Sequence, residues 1–115
     1  MQKSRLDIEF NDALVESIDE TITELLGRTV LNALYAHLET NYSISRNELP
    51  HRLDTLTTPL QRVFGVRSSQ TITRAIAKKF YLKLRLEFTA DPTCTLLEYV
   101  DEAKMNLQAS QTNVG

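Results

Sequence analysis

A polypeptide turns back on itself most readily at glycine and proline, and this chain has three of each in 115 residues, about 5% together where roughly 12% is usual. The internal ones are Gly27, Pro50, Pro59, Gly65 and Pro92. They fall between or at the edges of segments whose apolar residues recur at helical intervals. That placement predicts an all-α fold, a compact single-domain bundle of about five helices joined by short corners. One domain's length of chain leaves room for a real core and excludes a two-domain cofactor enzyme.

The first segment runs from Asn11 to Leu26, with Leu14, Val15, Ile18, Ile22, Leu25 and Leu26 on one stripe. Asn11 is placed to cap it, Phe10 and Val15 to staple it, and Gly27 to end it. A second helix is expected from Arg28 to Thr40 around Val30, Leu31, Leu34, Tyr35 and Leu38. Ser45 and Glu48 have the spacing of a capping box. Leu49, Leu53, Leu56, Leu60, Val63 and Phe64 continue helical spacing to Gly65, with a kink or split expected near Thr57-Thr58 because Pro59 removes an amide donor. Ser68 or Ser69 is expected to cap a fourth helix carrying Ile72, Ala75, Ile76 and Phe80. From Leu82 to Phe88 the apolar residues alternate, so helix to about Leu84 followed by a short extended segment near 85–89 is expected. Thr95 and Glu98 form a second capping box before a last helix with Leu96, Val100, Ala103 and Leu107. Residues 1–10 read as an N-terminal arm, 11–107 as the helical domain and 108–115 as a flexible C-terminal tail.

The net charge is only −2, but it conceals two opposed blocks. From Asp7 to Glu24 there are seven acidic residues and no basic one; from Arg62 to Arg85 there are seven basic residues and no acidic one. Asp12, Glu16, Glu20 and Glu24 stand on one helix row, where each like-charge pair costs roughly 0.2–0.5 kcal/mol. Either the chain's own basic block offsets this repulsion or a partner does. Arg74, Lys78 and Arg85 fall within roughly 40° of one another on the fourth helix, opposite Ile72 and Ile76, and Arg67 lies in the turn before it. Two binding readings follow. In the first, a protein partner or a second copy docks through Asp12, Glu16 and Glu20 or through Arg67, Arg74, Lys78 and Arg85. In the second, the basic segment around 62–85 binds nucleic acid in a helix-turn-helix order, although a sequence pI of about 5.7 is low for a dedicated binder.

Catalysis has no visible foothold: no Gly-rich phosphate loop, paired-cysteine motif, nucleophile elbow or zinc-protease helix occurs. No catalytic residue, cofactor or metal site is therefore expected, and the chain reads as a non-enzymatic interaction domain. Glu48-Leu49-Pro50-His51 supplies one Glu-x-x-His where helical metal sites use two. Cys94 beside a helix start reads as a plain buried or half-buried cysteine, with a helix dipole that could lower its pKa as the reactive alternative. With no long apolar span, no secretory leader and one unpaired cysteine, a cytoplasmic protein without membrane contact is expected.

The runs Ala13-Leu14 to Leu25-Leu26-Gly27, Ala33-Leu34-Tyr35-Ala36-His37-Leu38-Glu39, Ile44-Ser45-Arg46-Asn47-Glu48-Leu49-Pro50, Val63-Phe64-Gly65 and Tyr99-Val100 with Ala103-Lys104 resemble the Nitrosopumilus output domain family, small archaeal all-helical modules. The resemblance spans about Ala13 to Lys104 and rests on helix signatures. It implies a cytosolic module that stands alone or acts downstream of signal receivers, and it assigns no functional residue. The chain departs from that pattern at Pro59, in place of a helix former, and at Arg85, in place of a helix-ending glycine.

Overall fold

A computed structural model describes the backbone of residues 5–112 and the side chains of residues 8–108. Its elements are α1 (Arg5–Leu26), α2 (Arg28–Tyr42), a 3-10 turn (Arg46–His51), α3 (Leu53–Lys83) and α4 (Leu96–Thr112), with no strand among the described residues. The all-α bundle of five helical elements is thus the observed fold. No described helix is long and apolar enough to cross a membrane.

α1 begins six residues ahead of the expected cap. Phe10 extends the Leu14, Ile18, Ile22 stripe by one more turn and is buried, its ring edge-on to Phe80 at 5.0 Å between centroids. Asn11 is therefore an interior residue, and the expected arm is helical from Arg5, residues 1–4 lying outside the described ones. At the other end α4 continues to Thr112, so the expected tail from 108 begins within it and its last three residues lie outside the described ones.

Both internal glycines make corners of one kind. Gly27 (φ 95°, ψ 160°) joins α1 to α2 with no intervening residue, and Gly65 (φ 84°, ψ 165°) folds α3 into two arms. Such dihedrals belong to a region open essentially to glycine alone. The split expected near Thr57-Thr58 accordingly falls at Gly65 instead: Pro59 is buried inside the first arm, where its missing amide leaves one carbonyl a turn earlier without its helical donor. Ser68 and Ser69 lie within the second arm rather than capping it.

One core unites the elements. Leu14, Ile18 and Ile22 of α1 meet Leu38, Leu53, Leu56, Leu60, Ile76, Phe80 and Leu96, all essentially inaccessible. α1 and α3 form the most extensive pairing. Each carries small buried residues at four-residue spacing, Ser17 and Thr21 on one, Ser69, Thr73 and Ala77 on the other, which lets the axes approach closely. Ser17 returns its hydroxyl to the Ala13 carbonyl at 2.7 Å, whereas buried Thr21 Oγ1 has no partner among the described residues.

The second arm of α3 ends in a Schellman turn. The Leu86 amide donates to the Tyr81 carbonyl at 2.9 Å and the Arg85 amide to the Leu82 carbonyl at 3.1 Å, with Arg85 left-handed at φ 60°. A segment without regular secondary structure follows, and its Leu86 and Phe88 pack on the core. Two tyrosines hold it. Tyr81 Oη donates to the Tyr99 carbonyl at 2.6 Å, and Tyr99 Oη donates to the Asp91 carbonyl at 2.9 Å while accepting the Asp91 amide at 2.8 Å. Burial pushes the Tyr81 phenol up to about 12. The Thr95–Glu98 capping box then opens α4, each residue taking the other's amide.

Candidate functional site

The acidic row on α1 is answered from within the chain, by lysines of the second arm of α3. Lys79 Nζ lies 2.5 Å from Glu24 and 3.8 Å from Glu20; Lys83 Nζ lies 2.8 Å from Glu20 and 3.9 Å from Glu16. Numbers rise along α3 as they fall along α1, so the two helices run antiparallel and each lysine spans two carboxylates one turn apart. The hydrogen bond to Glu20 raises the Lys83 pKa above its ordinary value. The carboxylates stay 46–63% exposed, which limits each pair to about 0–1 kcal/mol, yet that suffices to offset the repulsion within the row.

Asp19, the fifth of the seven acids between Asp7 and Glu24, joins three elements. Its Oδ1 accepts the Tyr35 hydroxyl of α2, and its Oδ2 accepts Arg46 Nε at 3.0 Å and Nη2 at 2.5 Å from the 3-10 turn. Burial, then the bond to Asp19, drives the Tyr35 pKa well above that of an ordinary phenol. Asp12 is exposed, without an ion pair among the described residues, and lines a polar cleft of about 290 Å³ with Glu16, Arg46 and Asn47. The acidic residues expected to act as one docking face therefore divide: Glu16 and Glu20 are engaged within the chain, and Asp12 is not.

The basic block divides as well. Lys79 and Lys83 serve the α1 row, whereas Arg62, Arg67, Arg74, Lys78 and Arg85 make no ion pair among the described residues, Arg74 being half-buried and the others exposed. Arg74 and Lys78 share a helical arm, but Arg85 does not lie on their face. The helix ends at Lys83, and the left-handed backbone at Arg85 turns it out of register. Arg67 sits in the first turn of the second arm, because the turn expected before the fourth helix is reduced to Gly65 alone.

An apolar groove that the sequence reading missed lies between the two glycine corners. Leu26 and Val30 line it from the Gly27 corner, Pro59, Val63 and Phe64 from the Gly65 corner, and Ala33 from α2; its volume is about 250 Å³. Val63 and Leu25, expected inside, are 72% and 52% exposed, and Val66 beyond the corner is 59% exposed. The physical cause is Gly65: by folding α3 there, it ends the stripe carrying Leu53, Leu56 and Leu60 before it can bury Val63. Consecutive apolar residues astride a glycine, Val63-Phe64-Gly65-Val66, were the available signal.

Other candidate chemistry is taken up structurally. Glu48 accepts both the amide and the hydroxyl of Ser45, at 3.0 and 2.9 Å, which lowers its pKa. Cys94 is half-buried before α4, and loss of solvation followed by the Asp91 charge raises its thiol pKa, the reverse of helix-dipole activation. No three His, Cys, Asp or Glu side chains among the described residues converge as metal ligands. Compared with family models, curated protein sequences and solved structures, the chain matches none.

Proposed function

We propose that this chain is a non-enzymatic helical interaction domain, a signalling or regulatory output module of the Nitrosopumilus type acting in the cytoplasm, which docks an acidic protein partner through the cations of α3. A single observation carries this reading: the glutamates of the acidic row pair with Lys79 and Lys83, leaving Arg62, Arg67, Arg74 and Lys78 as cations with no ion pair among the described residues. Net charge near zero thus coexists with a locally positive face, the arrangement that steers an oppositely charged partner without making the whole molecule basic.

Selection of a random peptide display library on the intact protein tests it. Enrichment of acidic peptides, with binding weakened at least tenfold by the Arg74→Glu/Lys78→Glu double variant and by added salt, is the expected result. Enrichment without charge bias would overturn it. Tight, salt-dependent binding of duplex DNA abolished by the same variant would transfer the surface to the nucleic-acid reading.

A further inference from the structure

We infer that the groove between the two glycine corners is the seat of an acidic amphipathic helix, whose apolar residues enter it while its carboxylates meet the arginines beside the Gly65 corner. This rests on the interaction reading above and names its partner's chemistry.

Three features lead there. At about 250 Å³ the groove is below the roughly 300–1,000 Å³ of small-molecule sites, a size suited to one or two aliphatic side chains, and Val63 of its lining is 72% exposed. An apolar groove with an exposed aliphatic side chain in its wall marks an interaction site. The charges beside the Gly65 corner are of one sign. Arg62 and Arg67 bracket Gly65, both exposed and without an ion pair among the described residues, whereas Arg28, after Gly27, shares a separate cleft with Asp19, Glu20 and Glu24. Arg67 also stands in the first turn of the second arm of α3, where the helix dipole is already positive and a cation is disfavoured. An incoming carboxylate would relieve that position, whereas a basic or neutral helix would not. Helix-in-groove recognition reads i, i+3, i+4 and i+7 anchors on the ligand, and a helix of that pattern with glutamates between the anchors matches the apolar floor and the basic Gly65 corner.

The test is fluorescence anisotropy of the full chain with a labelled helical peptide bearing leucine at i, i+3, i+4 and i+7 and glutamate elsewhere. Two control peptides replace glutamate by lysine or leucine by serine. Val63 is mostly solvent-exposed, so Val63→Asp leaves the core intact, which circular dichroism verifies. Binding of the first peptide alone, weakened at least tenfold by Val63→Asp and by Arg62→Ala/Arg67→Ala, is expected. Equal binding of the lysine peptide, or binding indifferent to Val63→Asp, overturns the inference. If acidic peptides from the display selection bind in an Arg74- and Lys78-dependent manner that Val63→Asp does not touch, the groove falls and the interaction reading stands; if no acidic peptide binds at all, both fall. Concentration-dependent dimerisation abolished by Val63→Asp would give the groove to a second copy and likewise overturn the inference.

Discussion

Gly65→Ala separates the corner seen here from a straight helix by the sign of its effect. In a continuous helix, replacing an interior glycine by alanine stabilises by about 0.8–1.0 kcal/mol. At φ 84° and ψ 165° the same change forces an L residue into a region that costs about 1–3 kcal/mol. Beyond the adjoining backbone no atom among the described residues lies within 4 Å of a Cβ built at either Gly65 or Gly27, so the cost is that of the backbone conformation and not of a clash that a neighbour could relieve. For a domain of this size about 1 kcal/mol moves the melting temperature by roughly 4–5 °C, and the expected drop is about 4–15 °C for Gly65→Ala and for Gly27→Ala alike. Urea and thermal denaturation followed by circular dichroism measure it, with an unchanged m-value showing that the native fold is retained. A variant more stable than the parent at either position would refute the corner geometry, and with it the groove that the two corners frame.

Three further outcomes follow from the same structure. Arg85→Gly should stabilise by about 0.5–1 kcal/mol, because glycine removes the left-handed penalty at φ 60° and returns only part of it as chain entropy; a loss of stability on denaturation would show that the arginine side chain makes an offsetting contact. Lys79→Gln/Lys83→Gln should lose about 0.5–1.5 kcal/mol at low ionic strength and almost nothing near 1 M salt, while Arg74→Gln/Lys78→Gln should change stability little at either; equal effects of the two pairs would contradict the observed ion pairing. Tyr35 and Tyr81 both titrate above an ordinary phenol in the folded state. Their contribution is therefore complete below pH about 10, the unfolded value, and diminishes as pH rises through the folded values, Tyr81's being about 12. Urea midpoints should fall from pH about 10 upward with phenolate absorbance appearing together with unfolding, and phenolate formation well before unfolding would contradict the burial of these rings.

Most of the architecture was legible because each helix carries its own punctuation. The Ser45 and Thr95 capping boxes, the Gly27 corner and the stripes of α1, α2 and α4 depend on residues within a turn or two of one another. What failed were inferences in which a local preference met a tertiary demand. Asn11 is a good cap in isolation, but Phe10 gains more by packing on Phe80 than α1 would gain from a cap there. Pro59 is a good breaker in isolation, yet it is buried, and Gly65 bends the chain six residues later at a point where only glycine can. Arg85, noticed in the sequence as standing where a glycine was expected, does occupy the left-handed position that ends the helix.

The charge pattern shows most clearly where sequence reasoning stops. At about 100° per residue, Lys83 and Lys79 lie roughly 20° and 60° from Ile76, beside the buried stripe, while Arg74 and Lys78 lie about 160° away. Long stems anchored next to the core can reach around a neighbouring helix, so periodicity alone separates the cations beside the core from those on the far face. The destination was not marked. On α1 the glutamates lie on the side of the helix away from Ile18, which by periodicity alone is a solvent face. They are within reach only because α3 runs antiparallel to α1 and because Ser17 and Thr21, small and buried, lie between the Ile18 stripe and the glutamates and leave the lysine stems a passage. Pairing across helices is a property of their packing, whereas exclusion from pairing is a property of one helix's own face. That asymmetry is why the outward cations Arg74 and Lys78 could be named from sequence, and why the lysines that neutralise α1 could not.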